Sequence, residues 1–431
     1  MNRMNTETII RLVMLALTSF TASHGVLAQG ILTPPGAPAP TMKSLAQIEP
    51  RTAISSLPFS ITNSGSYYLV SNLTGVTSQH GISISAGGVT IDLNGFTLIG
   101  VGGSLSGINV SSVRTNLAIS NGSLQNWGAD GISALNATSC RFHDLAVSHN
   151  GGNGLYAGPN SLIKDCTART NAQAGIRTST GCRITDCSIN LNGTDGIVVG
   201  AASVISGCTS SDNGGYGING SSATSINNCS VYSNVGVGID VGTGGTINQC
   251  TAYQNGGDGI LVGSGSSASG CSTYSNGGYG INGGNSCAIN NCTAYFNSGI
   301  GIEAASGSAV MQCIAYQNGT NGISVVSGSS VGGCTSRNNS GRGIVVGSDC
   351  FVERNSCSGN NVGGISATGS HNRIDANQCY NSISVSGTNN LVTRNVAHGS
   401  IGGAGGNYVA NAIDPPGNFF TSTDPWENFF Y

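Results

Sequence analysis

Residues 250–270 read CTAYQNGGDGILVGSGSSASG and residues 271–291 read CSTYSNGGYGINGGNSCAINN, so the two segments align position by position over 21 residues. Asparagine follows each leading cysteine by five residues, and a Gly-Ile pair ends five residues after that. Three sets of positions that share one period leave no room for insertions, so each segment must be one structural unit stacked on copies of itself. The 21-residue cysteine step runs without a gap through Cys166, Cys187, Cys208, Cys229, Cys250, Cys271, Cys292, Cys313 and Cys334.

Each repeat contains three short alternations of apolar and polar residues, separated by turns rich in Gly, Asn and Ser. One surrounds the residue three before the cysteine, one begins at the cysteine, and one follows the Gly-Ile pair. Alternation with a period of two predicts short strands whose inward side chains are two residues apart. Three strands per repeat, all coiling one way, predict an all-β fold: a single-stranded parallel β-helix with triangular rungs, about fifteen rungs and roughly 70 Å long.

The composition excludes several other classes of protein. The chain has 68 glycines among 431 residues and only 8% charged residues, against about 25% charged in ordinary domains. Few long or charged side chains argue against a helical solenoid, and glycine without a three-residue period excludes collagen. The net charge of -3, without a basic block, makes nucleic acid an unsuitable partner.

The start of the chain has the pattern of an exported protein. Residues 1–28 predict a signal peptide, because Arg3 and Arg11 precede or flank a short apolar run and small residues stand before Gln29. That run is too short to span a bilayer and no later segment is long enough, so we expect no transmembrane segment. Residues 29–58 are rich in proline and predict an extended linker or a strap over the end of the core.

The remaining chain divides by regularity. We predict irregular N-terminal rungs and a cap over residues 59–130, the regular β-helix over residues 131–400, and a C-terminal cap over residues 401–431. A sorting or attachment signal for the outer surface is the alternative for the aromatic tail. After Cys334 the cysteine spacing widens, to Cys357 and then Cys379, which predicts a loosened period.

The fifteen cysteines of an exported chain would normally predict disulfides. Here the periodic ones stack one above another with parallel Cα–Cβ vectors, which keeps neighbouring Cβ atoms farther apart than the ~3.8 Å that a disulfide prefers. We therefore predict a buried column of free thiols at the start of the second strand of each rung. Pairing of alternate neighbours along the column is the other possibility.

The asparagine column is predicted to occupy the left-handed conformation at a sharp bend and to form a hydrogen-bonded ladder between rungs. This column, the Gly-Ile-x-Val step and the inward apolar columns resemble the right-handed parallel β-helix repeats of the pectate-lyase-like superfamily, over roughly residues 80–400. Residues 45–51, 65–69 and 424–429 resemble a group of exported bacterial members. The resemblance implies a right-handed coil and a role with polysaccharides.

An outward column of tyrosines is the first candidate site. Three residues after the cysteine, the alternation places the side chain outside, and five successive rungs carry Tyr232, Tyr253, Tyr274, Tyr295 and Tyr316. They predict a flat strip about 20 Å long whose rings and hydroxyls can bind polysaccharide. The structural alternative is that the rings stack on each other and only stabilise the sheet.

A charged cluster near the regular start is the second candidate site. Asp144, Asp165 and Asp186 precede the cysteine column on successive rungs, with Lys164 beside them. Such carboxylates can act as an acid/base pair or bind Ca²⁺, and the lysine can abstract a proton beside a uronate carboxylate, as the resemblance implies for a lyase, hydrolase or C5-epimerase. The same column continues with Gly, Asn and Gln, so a turn role for the aspartates is the alternative.

Several features of the related enzymes are missing from this sequence. The Asp-Pro-His-Asp/Glu motif of related mannuronan epimerases is absent, regular rungs leave no room for the long loops of pectate lyases, and the six histidines lack metal-ligand spacing. No Met/His cluster like that of the copper-maturation members occurs. We therefore predict a secreted, cell-surface or envelope scaffold that binds polysaccharide and needs no cofactor, with the enzyme, and Ca²⁺ under its lyase form, as the alternative.

Overall fold

A computed structural model describes residues 49–403 and the short segments 408–409, 412–413 and 428–430. The chain divides into two units, Met1–Pro50 and Arg51–Tyr431, and only the second is treated below. The predicted signal peptide, most of the linker and most of the C-terminal tail lie outside the described residues. Within the described ranges the backbone forms strands and turns, and no helix there is long and apolar enough to cross a membrane.

The strands form a parallel β-solenoid of about 16 turns, as predicted. Each turn contributes one strand to each of three parallel faces, called face 1, face 2 and face 3 in chain order within a repeat; the strands of faces 2 and 3 belong to one continuous sheet. Face 1 follows the Gly-Ile pair. Its strands are Phe59–Ile61, Ile82–Ile84, Ile108–Val110, Ile132–Ala134, Leu155–Ala157, Ile176–Thr178, Ile197–Val199, Ile218–Gly220, Ile239–Val241, Ile260–Val262, Ile281–Gly283, Ile302–Ala304, Ile323–Val325, Arg342–Val346, Gly363–Ala367, Ile383–Val385 and Ile401–Gly403.

Face 2 precedes the cysteine column. Its strands are Thr52–Ile54, Gly65–Leu69, Val89–Asp92, Ala118–Gln125, Arg141–Ser148, Leu162–Lys164, Arg183–Thr185, Val204–Ser206, Ser225–Asn227, Thr246–Asn248, Ser267–Ser269, Ala288–Asn290, Ala309–Met311, Ser330–Gly332, Phe351–Glu353, Arg373–Asp375, Leu391–Thr393 and Tyr408–Val409. The two eight-residue strands, Ala118–Gln125 and Arg141–Ser148, continue around the corner and join face 2 to face 3.

Face 3 follows the cysteine column. Besides the two shared strands it contains Leu73–Thr74, Thr97–Ile99, Thr167–Arg169, Ser188–Asn190, Thr209–Ser211, Ser230–Tyr232, Thr251–Tyr253, Ser272–Tyr274, Thr293–Tyr295, Ile314–Tyr316, Thr335–Arg337, Ser356–Ser358, Gln378–Cys379, Val396–Ala397 and Asn428–Phe430, the last of which also pairs with Ala412–Ile413. A separate two-stranded sheet pairs Arg114–Thr115 with Ala137–Thr138.

The register stacks equivalent residues of successive repeats on each other. Ile218 pairs with Ile239, and Ile239 pairs with Ile260, so each isoleucine column is one continuous inward row. These isoleucines have no exposed surface. Because every rung buries the same small set of side chains, the core is a single column that runs through the stack.

The period loosens after Cys334 as predicted, but the 23-residue step from Cys334 to Cys357 is not part of that change. Cys357 pairs with Ser336 across face 3 and Cys379 pairs with Cys357, so both belong to an inward column of the strand itself. The corner column continues at the 21-residue step with Asn355, whose Oδ1 accepts the Cys334 N–H at 2.9 Å. The rung length changes in the following turns. The step is 22 residues from Asn355 to Asn377 and from Cys357 to Cys379, and then 18 residues from Ile365 to Ile383 and from Ile383 to Ile401.

The cysteine column lies at the corner between face 2 and face 3, one residue before the strand that we predicted it to begin. Its thiols are buried and unpaired, as are all fifteen cysteines in the structure. Each thiol hydrogen-bonds within the stack: Cys250 Sγ donates to the carbonyl of Asn248 at 3.3 Å and accepts the N–H of Cys229 at 3.5 Å. The thiols therefore supply hydrogen bonds to backbone N–H and C=O groups that lie in the bend and have no partner in the sheet.

The asparagine ladder is confirmed, but its conformational explanation was wrong. Asn255 donates from both its backbone N (3.1 Å) and its Nδ2 (3.0 Å) to the Oδ1 of Asn276 on the next rung. The same chain of side-chain hydrogen bonds runs from Asn150 to Asn360. The left-handed residue is the one before each asparagine, for example Gln254 with φ 53°. The asparagine is needed for its inward amide, which pairs with bent backbone and with its neighbours.

Candidate functional site

The predicted tyrosine strip, Tyr232 to Tyr316, lies on the outer surface of face 3. Neighbouring tyrosines are paired in register across the sheet. Successive ring centroids are 4.9, 4.8, 4.9 and 4.9 Å apart, with interplanar angles of 15°, 6°, 15° and 2°. All five side chains are half-buried. They therefore form one continuous parallel stack that repeats at the rung spacing.

Stacking decides which parts of the strip can meet a ligand. The faces of the three inner rings are covered by their neighbours, so a sugar ring cannot lie flat on them; the ring edges and hydroxyls remain. At one end the Arg337 guanidinium lies 5.2 Å from the Tyr316 centroid. Phe296, 52% exposed, packs edge-on against Tyr295 and Tyr316 at 5.7 and 6.0 Å and widens the aromatic surface around the corner.

The hydroxyls of the three inner tyrosines stay neutral. Burial raises the pKa of Tyr253, Tyr274 and Tyr295, and the neighbouring tyrosines raise it further. Each hydroxyl can therefore both donate and accept a hydrogen bond. A second outward column runs beside the tyrosines on the same strands. It consists of Ser230, Thr251, Ser272 and Thr293, followed by the exposed Ile314 beside Tyr316. The exposed part of face 3 is thus a grid of aromatic edges and hydroxyl groups.

The three predicted aspartates lie on successive rungs at the corner between face 2 and face 3. Asp144, Asp165 and Asp186 have φ values of 55°, 51° and 53°, the left-handed conformation of the bend. Their side chains are exposed. Asn228 and Gln249 continue the column with φ 53° each, which is what the turn interpretation requires.

Two of the three aspartates contact the basic residue that precedes them in the chain. Asp144 pairs with His143 at 2.9 Å, and the Lys164 ammonium pairs with Asp165 at 3.0 Å. The hydrogen bond and the negative charge of Asp165 raise the pKa of Lys164. A lysine that abstracts a proton needs the opposite shift, so this geometry disfavours Lys164 as a base.

A set of half-buried carboxylates on face 1 was not foreseen from the sequence. Asp195 accepts the N–H of Tyr216 at 2.7 Å and the Nδ2 of Asn219 at 3.0 Å. Three rungs later Asp258 makes the same two bonds, to Tyr279 at 2.7 Å and to Asn282 at 2.9 Å.

The signal for this duplication was present in the sequence. The heptapeptide GGYGING occurs at residues 214–220 and again at 277–283, three repeats apart. An acidic residue follows each copy in the next rung, namely Asp240 and Glu303. The two copies therefore show a second period of three rungs beside the period of one rung.

Asp240 and Glu303 bind their protons more tightly than ordinary carboxyl groups do. Burial, and then the charge of Asp195, raises the pKa of Asp240 to about 6. Burial, and then the charge of Asp258, raises the pKa of Glu303. A carboxyl group that is partly buried beside another carboxylate ionises less readily, because both burial and the like charge disfavour its charged form.

The raised pKa of Asp240 predicts a pH-dependent gain in stability for Asp240→Asn. Between the usual pKa of 3.8 and about 6 the folded state binds more protons than the unfolded state, so stability falls as pH rises and the penalty is complete above pH ~6. We expect Asp240→Asn to raise the urea unfolding midpoint at pH 7.5 and to change it little at pH 4. An equal shift at both pH values would contradict the assignment.

An open groove of about 480 Å³ runs along the corner after face 3, beside His149, Thr170 and Leu191. Within the part of the chain that the structure describes, no three His, Cys, Asp or Glu side chains are grouped so that they could hold a metal ion.

Comparison with known proteins identifies the family. The family model described as "Right handed beta helix region" matches residues 59–204, 177–287 and 218–351, which together cover more than half of the chain. The chain belongs to this right-handed β-helix family. This membership agrees with the predicted hand and with the parallel solenoid described above. No curated protein matches the sequence.

Solved structures similar to this right-handed β-helix are distant. The A-module of mannuronan C-5 epimerase AlgE4 from Azotobacter vinelandii has 13% identity and a TM-score of 0.46, covering 72% of this chain and 91% of its own. The Dettilon tailspike protein has 13% identity and a TM-score of 0.32, covering 88% and 60%. The periplasmic alginate epimerase AlgG has 11% identity and a TM-score of 0.32, covering 71% and 76%.

Proposed function

We propose that this right-handed β-helix protein is an exported scaffold that binds polysaccharide along the tyrosine strip, at the cell surface or in the medium. The observation that carries the proposal is the unbroken outward stack of five tyrosines in register on a rigid sheet. A stack needed only for stability does not require a hydroxyl on every ring, since phenylalanine stacks equally well.

The chemistry of the strip suits a long, hydroxyl-rich chain held edge-on. A single neutral hydrogen bond contributes about 0.5–1.5 kcal/mol, so one tyrosine would bind a sugar weakly. Five hydroxyls and the neighbouring Ser/Thr column repeat the contact along one polymer, which adds their effects without a new ordering cost for each. Because the sheet already holds the rings in place, little side-chain entropy is lost on binding.

The alternative is an enzyme, a polysaccharide lyase, hydrolase or C5-epimerase on an acidic glycan, with Asp144, Asp165, Asp186 and Lys164 as its groups and Ca²⁺ as a possible ion. Its support is weaker. The aspartates have the conformation of a turn, and Lys164 is paired and holds its proton more firmly than a free lysine. The test below separates retention of a glycan from its cleavage.

The test compares three double variants with the wild-type protein. We expect Tyr253→Ala with Tyr274→Ala to lower the retention of a bound polysaccharide in affinity electrophoresis at least tenfold, because two adjacent contacts and the stack are lost. Tyr253→Phe with Tyr274→Phe keeps the stack and removes two hydroxyls, so its unfolding midpoint should stay close to wild type while retention falls several-fold. Asn227→Ala with Asn248→Ala, an outward pair on face 2 joined at 3.1 Å, should retain glycan normally.

The outcomes distinguish glycan binding from a purely structural role of the tyrosines and from enzymatic cleavage. Loss of retention in the Phe pair without loss of stability supports binding. Normal retention in both tyrosine pairs contradicts the proposal. Cleavage of a polysaccharide that survives both tyrosine substitutions and stops in Asp165→Asn would establish the enzyme instead.

A further inference from the structure

The distribution of basic residues along the chain is uneven. Between Arg183 and Arg337 the sequence contains no lysine, arginine or histidine, although this stretch holds the whole tyrosine strip. The same stretch contains six acidic residues. They are Asp186, Asp195, Asp212, Asp240, Asp258 and Glu303. Seven central rungs therefore carry only negative charge, and the basic groups of the regular β-helix lie on the rungs before and after them.

The immediate surroundings of the strip are uncharged or acidic. The other outward column of face 3 is Ser or Thr on the first four rungs of the strip and Ile314 on the fifth. The outward positions of face 2 next to it include Asn227, Asn248 and Asn290. Asp212 lies at the corner beside Tyr232. The one cation at the strip, Arg337, lies over the ring of the last tyrosine, Tyr316.

We infer that the ligand of the tyrosine strip is a neutral polysaccharide, without carboxylate or sulfate groups; this rests on the proposed function. Recognition of an anionic sugar in proteins relies on Arg or Lys, which form charge-assisted hydrogen bonds to carboxylate or sulfate. Here an anionic chain along the strip would meet no partner over four of the five rungs. It would also be repelled by Asp212, whose backbone N–H bonds to the Tyr232 carbonyl at the corner beside the strip, and salt screens this repulsion. The hydroxyls of a neutral sugar can pair with the phenol, Ser and Thr hydroxyls of face 3 at no such cost.

The experiment uses matched polymers that differ only in charge. Glucan, mannan and galactan are each compared with the same polymer after chemical oxidation of its C6 hydroxyls to carboxylates, with the full-length protein in EDTA at low and physiological salt. For the backbone that is retained, we expect the neutral form to bind at least tenfold more tightly than the oxidised form at low salt. The difference should shrink as salt rises, because screening weakens the repulsion.

Charge variants supply the control. Thr251→Lys with Thr293→Lys places two cations beside the tyrosines, and we expect it to narrow or reverse the preference. Ser133→Lys with Ser324→Lys adds the same charge at outward positions of face 1 and should leave the preference unchanged. If the wild-type protein retains an oxidised polymer as tightly as the neutral one, in a tyrosine-dependent way, the inference is wrong and the proposed function stands. If no polymer of either kind is retained, the proposed function itself fails.

Discussion

Replacement of Asn276 by alanine is expected to lower the free energy of unfolding by about 3–5 kcal/mol, the range for breaking a buried polar network. The Oδ1 of Asn276 accepts two hydrogen bonds from Asn255, at 3.1 and 3.0 Å. Its Nδ2 donates to the Ala252 carbonyl at 3.0 Å and to the Asn297 Oδ1 at 2.9 Å. Alanine leaves the buried N–H of Asn255 without its acceptor. Water cannot take the place of the lost acceptor, because Asn276 is only 1% exposed.

The effect should be local as well as large. In a solenoid each repeat contacts only its neighbours, so a broken rung interface weakens coupling at that point. We expect amide hydrogen exchange to accelerate most at Asn255 and the adjacent rungs, and urea unfolding to begin there. Asn276→Asp keeps the shape and the accepting oxygen but loses both donors and buries a charge, so at neutral pH it should be at least as damaging.

Asn227→Ala is the matched control for the ladder substitution. Its side chain points outward on face 2 and is half-buried. We expect a change within about 0.5 kcal/mol, as for ordinary surface substitutions. A loss below about 1 kcal/mol in Asn276→Ala would mean that the inner ladder contributes no more than a surface hydrogen bond.

Gly280→Ala is expected to destabilise the protein by about 3 kcal/mol, at the upper end for overpacking in a core. A Cβ at this position would lie 2.5 Å from the Gly301 carbonyl oxygen and 2.7 Å from the Asn297 Nδ2. The first atom is backbone and the second is a member of the ladder, so neither can move without breaking a hydrogen bond. The glycine of each Gly-Ile pair is thus required because the asparagine of the next rung lies too close to leave room for a Cβ atom.

The control for Gly280→Ala is a glycine with free space around it. A Cβ at Gly102 meets nothing within 4 Å. Its replacement by alanine should be neutral or stabilising by a few tenths of a kcal/mol, because alanine restricts the unfolded chain. Urea unfolding of both variants under identical conditions measures the contrast. Equal midpoints would show that the rung can expand to admit a methyl group.

Much of this structure follows from the spacing of residues. The 21-residue step predicted the three faces, their parallel register and the inward isoleucine rows, because a strand has a side-chain period of two and a stack repeats its inward set. The same reasoning placed the tyrosines outside, in a row. It failed at corners, where the alternation breaks: the cysteines lie in the bend, and the left-handed residue precedes the asparagine.

The later part of the chain shows a second kind of failure. Cys357 has the residue type of the corner column but belongs to an inward row of face 3, while Asn355 takes the corner. The type of a residue indicated its column correctly only where every rung has the same residue type in that column. At the corner, sulfur and amide oxygen are interchangeable because both can accept the N–H of the preceding rung.

The sequence by itself determined the class of fold, the period and the side of the sheet on which each column lies, since these depend only on the alternation of side chains along a regular backbone. Only the tertiary structure decided how side chains 21 residues apart meet. It showed that the tyrosines cover each other's faces, that Lys164 is held by Asp165, and that burial and the neighbouring Asp195 raise the pKa of Asp240. Ring orientation, hydrogen-bond direction and burial are properties of neighbouring rungs together, and no single repeat contains them.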